Sequence, residues 1–149
     1  MIAVIRRAIH QWTRRTVRRS ILLWDASGND ERPYRCFLIY RKRDPFAVTL
    51  LVPDHTTTGK VTEVVFERGL LIEGFDQPAG DGAVRVEPHI VVREYTSLTL
   101  PVTRDGKEFY TERAPLEDFI TETCALVRCG SELPQVNAEL DRWLAGVAL

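Results

Sequence analysis

Four arginines in two pairs are the residues whose type and spacing best suit a binding chemistry. They lie in the segment WTRRTVRRS, between two tryptophans: Arg14, Arg15, Arg18 and Arg19, with Trp12 before and Trp24 after them. Clustered guanidinium groups bind phosphate oxygens whatever the base sequence, and tryptophan rings stack on unpaired bases. One hypothesis is therefore a single-stranded nucleic-acid-binding surface on this strand. The alternative is that the tryptophans pack within the fold.

Net charge is divided unevenly along the chain. Residues 1–43 carry a net charge of +8 and residues 44–149 carry −9, so the 149-residue chain has a net charge of −1. Such a division is typical of proteins with an acidic partner or a nucleic-acid ligand at one end. The simpler alternative is that the basic first strand lies beside acidic neighbours of the same folded unit.

Patterns for catalysis, metals or cofactors are not found in the sequence. His10, His55 and His89 are scattered, and the cysteines form no CxxC set that would hold zinc. There is no G-x-S-x-G nucleophile turn, and the glycines of QPAGDG lack the lysine of a phosphate-binding loop. The acidic residues of 117–122 suit the solvated face of a helix. We therefore expect no enzyme activity, no cofactor and no metal.

Cysteine number and apolar runs indicate the compartment. Cys36, Cys124 and Cys129 are few and odd in number, which favours reduced thiols in a cytosolic protein. No apolar run approaches the roughly 18–20 residues that span a bilayer. The length suits one domain. We expect a basic N-terminal arm over residues 1–11 and a single domain over residues 12–149.

Short apolar segments separated by turn residues predict a mainly β domain. Strands are expected at 13–24, 36–41, 46–52, 61–66, 83–86, 89–94, 97–102 and 108–111. Asp44-Pro45 is expected to bend the chain, and Asp105-Gly106 to join the last two strands as a hairpin. A short helix is expected at 68–73, with Gly74 ending it in left-handed geometry.

Two further helices are predicted at the C-terminal end. The first begins near Pro115, and its apolar stripe consists of Leu116, Phe119, Ile120, Cys124 and Val127. Gly130 is expected to cap it, and the second begins near Pro134. Because no long crossover helix separates the strands, the sequence predicts an α+β fold with antiparallel sheets. We expect about eight short strands, a short middle helix and two C-terminal helices.

Three motifs follow one another between Asp44 and Pro88. They are DPFAV at 44–48, VTEVVFERGLLIEGF at 61–75, and P-x-G-x-G-x-VRV-x-P at 78–88. In this order the motifs resemble those of the SsgA-like proteins, an actinobacterial family that acts in sporulation and cell division. The residues that carry the resemblance are Asp44, Pro45, Phe66, Arg68, Leu70, Leu71, Gly74, Pro78, Gly80, Gly82, Val84, Arg85, Val86 and Pro88.

The resemblance implies a function, an assembly and a fold. It implies a non-catalytic homotrimer at the division septum that helps to position or recruit the FtsZ ring and the septal peptidoglycan machinery. Its expected partners are further copies of itself, FtsZ or other divisome proteins, and SsgA-like paralogues. The implied fold is similar to that of Whirly-type single-stranded nucleic-acid-binding proteins. The motif residues are then structural, and the four arginines are a candidate partner or nucleic-acid surface.

Overall fold

Seven antiparallel strands and two helices are seen in the computed structural model, which describes residues 15–80 and 82–129. The strands are β1 (Thr16–Asp25), β2 (Tyr34–Arg41), β3 (Asp44–Pro53), β4 (Val61–Glu67), β5 (Arg85–Pro88), β6 (Tyr95–Leu100) and β7 (Lys107–Glu112). The helices are α1 (Arg68–Gly74) and α2 (Arg113–Leu126). The strand order is β4-β3-β2-β1-β7-β6-β5, and neighbouring strands are antiparallel. The expected α+β fold with an antiparallel sheet is confirmed.

Alternation of side chains along β1 to β4 gives this half of the sheet an inner and an outer face. On β3, Val48, Leu50 and Val52 are buried, whereas the residues between them are partly exposed. Successive side chains of a strand point to opposite faces, so the buried set defines the inner face. Inner-face residues of all four strands join one hydrophobic core with Leu71 of α1 and with Leu116 and Phe119 of α2.

The sheet opens between β1 and β7. Strand β1 pairs with β2 from Thr16 to Leu23. In the described part of the chain, its pairing with β7 consists of Trp24 with Tyr110 and Asp25 with Phe109. Beyond these pairs β7 turns directly into α2, whose buried residues fill the gap on the inner side. The Thr111 hydroxyl still donates a hydrogen bond to the Leu22 carbonyl (2.8 Å), which ties the two strands where they separate.

Two predictions about the strands are wrong. Residues 89–94 form a loop, because His89 Nδ1 accepts hydrogen bonds from the backbone N–H groups of Val91 (3.1 Å) and Val92 (3.0 Å) and turns the chain. The described residues therefore contain seven strands, not about eight. The bend expected at Asp44-Pro45 lies at the two preceding residues, and β3 begins at Asp44. The hairpin at Asp105-Gly106 is confirmed between β6 and β7.

Helix α2 begins at Arg113, two residues before the expected start. Pro115 is tolerated in the first turn because backbone N–H groups there have no partner within the helix. The predicted apolar stripe is confirmed for Leu116, Phe119 and Ile120, which are buried. Cys124 is half-buried, and Val127 lies one residue beyond the end of the helix. The N-terminal arm, Arg14, Gly130 and the second C-terminal helix lie outside the described residues. The Whirly-type likeness stays a prediction.

Candidate interaction surfaces

The basic strand β1 distributes its arginines over both faces of the sheet. Arg18 is exposed on the outer face, and Arg15 is exposed just before the strand. Arg19 points to the inner side, where its guanidinium group lies 2.5 Å from Glu122 and 3.6 Å from Asp118 of α2. For Arg19 the structure thus confirms the simpler expectation that the basic strand has acidic neighbours within the same fold. The described arginines do not form one continuous phosphate-binding patch.

Arg68 is the centre of the second motif and is completely buried at the start of α1. Its Nη1 donates hydrogen bonds to the backbone carbonyls of Thr123 (3.2 Å) and Val127 (2.8 Å), and its Nη2 donates one to the backbone carbonyl of Arg128 (3.4 Å). The last carbonyls of a helix have no partner within the helix and attract positive charge. Arg68 therefore holds the end of α2 against the second motif.

The first motif meets Arg68 through Tyr40. The Arg68 guanidinium carbon lies 4.9 Å from the centre of the Tyr40 ring, a cation–π contact. The Tyr40 hydroxyl donates a hydrogen bond to the Pro45 carbonyl (3.1 Å). The first and second motifs, at 44–48 and 61–75, are therefore joined through one buried arginine.

The second and third motifs meet where Gly74 packs on Val86. A Cβ atom at position 74 would lie 2.6 Å from the Val86 Cβ, so only glycine fits. Gly74 does not adopt the expected left-handed conformation; its role is this close approach to β5. Gly80 does have a positive φ of 86°, and the chain there pairs back on itself between Ala79 and Val86. Glycine at position 80 is favoured by that conformation.

The other motif residues divide into buried and exposed groups. Phe66 and Leu71 are buried, and Pro45, Leu70, Val84 and Pro88 are half-buried. Asp44, Pro78, Gly82 and Arg85 are exposed, and Arg85 lies 3.4 Å from Glu87. A packing role is therefore seen for the first group, and the role of the exposed group stays a prediction.

An outer patch of apolar side chains covers the middle of the face made by β1 to β4. Phe37 is 46% exposed and Val65 is 55% exposed, and Leu22 is also exposed. Phe37 is the direct cross-strand neighbour of the half-buried Leu51, and Val65 is the neighbour of Thr49. Exposed apolar side chains grouped on one face in this way are typical of a protein–protein contact.

A cluster of charged and aromatic residues ties together the turns at one end of the sheet. Lys107 Nζ lies 3.1 Å from an Asp25 oxygen and 3.3 Å from the Tyr34 hydroxyl. The Tyr34 ring stacks on the His55 ring at 3.6 Å, and His55 Nδ1 lies 2.5 Å from an Asp30 oxygen. The cluster was not predicted, because its members are up to 82 residues apart and no local pattern links them.

The cluster shifts the titration of its members. The hydrogen bond from His55 holds the pKa of Asp30 at about 2. Hydrogen bonds from Ser27 lower the pKa of Asp25. Burial opposes the charge of Lys107, but its bonds with Tyr34 and Asp25 raise its pKa. These pKa shifts result from the contacts that link the turns. Among residues 15–80 and 82–129, no three His, Cys, Asp or Glu residues are placed to hold a metal ion.

An apolar tip, formed by Ile90, Val91 and Val92, projects from the loop between β5 and β6. Ile90 is 96% exposed and Val91 is 81% exposed. The tip is nevertheless held in place by His89. Its Nδ1 accepts hydrogen bonds from the backbone N–H groups of Val91 and Val92, and its ring packs edge-on against the Tyr110 ring, with the ring centres 4.5 Å apart. The Val92 carbonyl also accepts a hydrogen bond from the Tyr95 N–H at 3.2 Å.

A β1–β7 cleft of about 300 Å³ opens on the outer side where the two strands separate. Its lining includes Leu22, Trp24, Arg35, Thr111, Glu112 and Pro115. The Trp24 ring contacts the Tyr95 ring edge-on, with the ring centres 6.5 Å apart, so the tryptophan packs within the fold. Tyr95 follows the loop that carries the apolar tip, so the base of the tip lies next to the cleft.

The cysteine prediction is wrong for two of the three residues. Cys124 and Cys129 are joined as a disulfide, with their Cα atoms 5.0 Å apart. The spacing of five residues across the end of α2 allows the two side chains to meet. Cys36 is a buried free thiol, and burial raises its pKa to about 12. No helix within residues 15–80 and 82–129 is long and apolar enough to cross a membrane.

Comparison with known sequences links this geometry to a family. A family model described as "Streptomyces sporulation and cell division protein, SsgA" matches residues 35–132. The sporulation-specific cell division protein SsgB of Salinispora tropica is 33% identical over 117 residues, which cover 76% of this chain and 82% of that protein. SsgB of Streptomyces coelicolor is also 33% identical, over 71% of this chain and 77% of its own length.

Solved structures share the fold. A structure described as "Mutations in SsgB correlate to longitudinal cell division during sporulation of Streptomyces coelicolor" superposes with a TM-score of 0.68 at 30% identity, covering 80% of this chain and 94% of that one. The SsgA-like sporulation-specific cell division protein of Thermobifida fusca gives a TM-score of 0.65 at 25% identity, covering 85% and 93%.

Proposed function

Since the chain belongs to the SsgA-like family of sporulation and cell-division proteins, we propose that it is a non-catalytic adaptor of sporulation-specific division. In this role it positions or recruits the FtsZ ring and the septal peptidoglycan machinery. It acts from the cytoplasmic side of the septum as a homotrimer, with FtsZ, other divisome proteins and SsgA-like paralogues as partners.

The observation that carries this proposal is the outer patch. The motif residues Phe66, Arg68 and Leu71 are buried, so the resemblance to the family rests largely on the interior. The outer patch, in contrast, leaves apolar side chains such as Phe37 in water. Interface centres are enriched in aromatic residues, so a patch centred on Phe37 suits a protein partner better than a small substrate.

The charges around the outer patch are of both signs. Arg18 and Arg35 are exposed on the same face of β1 and β2, and neither forms an ion pair within the described part of the chain. Glu63 and Glu67 of β4 are exposed on the other side of the patch. Complementary charge at the rim of an interface mainly raises the association rate and selects the partner. Binding through this face is therefore expected to weaken as salt concentration rises.

The proposal is tested with a fluorescent fusion expressed in the sporulating host. We expect signal at the sporulation septa, and loss of that signal for Phe37→Glu. Thr57→Glu is the matched control, since it adds the same charge at an exposed residue of the loop between β3 and β4, outside the strands that carry the outer patch. Purified FtsZ should be retained by the wild type and by the control but not by Phe37→Glu. Diffuse signal from the folded wild-type fusion would contradict the proposal.

A further inference from the structure

The apolar tip and the β1–β7 cleft are two features of one chain that match each other in chemistry. The tip exposes branched side chains that water solvates poorly, and the cleft is walled by Leu22, Trp24 and Pro115. Ile90 and Val91 are almost fully exposed, so the tip does not fill the cleft of its own chain. We propose that the apolar tip of one copy inserts into the β1–β7 cleft of a second copy.

Rigidity of the tip supports this role. Its shape is fixed by His89, whose ring nitrogen accepts two backbone N–H groups and whose ring is packed on Tyr110. A loop that is already ordered loses little conformational entropy when it is bound. Apolar residues held in one exposed shape are thus prepared to enter a pocket.

Charges beside the tip and in the cleft are complementary. Arg93 and Glu94 follow the tip directly, and the cleft lining contains Arg35 and Glu112. Within residues 15–80 and 82–129, none of these four side chains takes part in an ion pair. Insertion of the tip brings Arg93 to Glu112 and Glu94 to Arg35, so each cation meets a carboxylate.

Each copy offers one tip and one cleft, and the base of the tip lies next to the cleft of its own chain. Two copies can therefore exchange tips about a twofold axis, or the contacts can continue from copy to copy until they close as a ring. This inference rests on the self-association that forms part of the proposed function, and it names the surface that produces it.

The first test measures mass by light scattering over a dilution series. We expect the wild type to associate, and Val91→Asp to raise the dissociation constant by about tenfold or more, as for a central interface residue. The control Thr103→Asp places the same charge in the exposed turn before Asp105 and should leave the constant unchanged. Circular dichroism melting of each variant shows that it is folded.

The second test exchanges charges. Arg93→Glu alone and Glu112→Arg alone should each weaken association, and the double variant should recover most of the loss, because the pair is restored with opposite sign. An associated wild type whose constant is unchanged by Val91→Asp, or a double variant no better than the singles, would overturn this interface and leave the adaptor role standing. A wild type that stays monomeric would also remove the trimer from the proposed function.

Discussion

Arg68 and Val91 both occupy environments that are unusual for their residue type, and in opposite ways. Arg68 is a cation with no exposed surface, and Val91 is an apolar side chain that is 81% exposed. Buried cations are retained when hydrogen bonds satisfy them, and carbonyls at the end of α2 do this for Arg68. No such compensation within the described chain is seen for Val91.

The difference separates a region that stabilises the fold from a region that is available for association. The three family motifs converge on the interior, where Arg68, Tyr40 and Gly74 join β2, β5 and both helices. The apolar tip makes its hydrogen bonds through the backbone and leaves its side chains to the solvent. Changes near Arg68 should therefore affect the whole fold, whereas changes at the tip should affect association and local order.

Removing Arg68 should give the largest effect. Arg68→Met keeps much of the volume but leaves the carbonyls of Thr123 and Val127 buried without this donor, and the expected loss of unfolding free energy is about 3 kcal/mol. Arg68→Lys keeps the charge but lacks the forked geometry, so its loss should be smaller. Urea unfolding followed by circular dichroism measures both. A loss for Arg68→Met no greater than that of an ordinary surface substitution would show that the arginine does not hold α2.

Gly74 should give the next largest effect and has an internal control. Gly74→Ala forces a methyl group into Val86 and should cost about 1–3 kcal/mol, as overpacking does. Gly69→Ala in the same helix meets no atom within 4 Å and should be neutral or stabilise by up to about 1 kcal/mol.

Pairing Gly74→Ala with Val86→Ala sharpens this test. The smaller residue at position 86 makes room for the added methyl group, so the double variant should lose less than the two single losses combined. Additive losses, measured by the same urea titration, would mean that the two residues do not press on each other.

The sequence predicted the interior better than the surface, for physical reasons. The strands at 36–41 and 61–66 and the stripe of α2 follow from hydrophobic periodicity, which core packing enforces. The motifs marked Arg68 and Gly74, but these residues contact Val127 and Val86, which belong to other elements of the fold, and no local pattern predicts either contact. The stacking of Tyr34 on His55 is non-local in the same way.

The apolar tip shows the limit of local pattern reading. Ile90, Val91 and Val92 have high β propensity, which led to the wrong prediction of a strand at 89–94. Two features argued against it: the three apolar residues are consecutive rather than alternating, and a histidine precedes them. The imidazole of His89 accepts the backbone N–H groups that a neighbouring strand would otherwise have bound.

Removal of the His89 ring should have the smallest effect on global stability and a large local one. His89→Ala deletes the acceptor for Val91 and Val92, and their amide hydrogens should exchange up to about tenfold faster, since a net hydrogen bond is worth about 1 kcal/mol. His55→Ala is the matched control, because it removes the same side chain from the opposite end of the sheet and should leave these two amides unchanged. Hydrogen exchange followed by nuclear magnetic resonance resolves the two sites. Unchanged exchange at Val91 and Val92 in His89→Ala would mean that the His89 ring does not order the tip. Val91 would then differ from Arg68 only in its exposure to solvent.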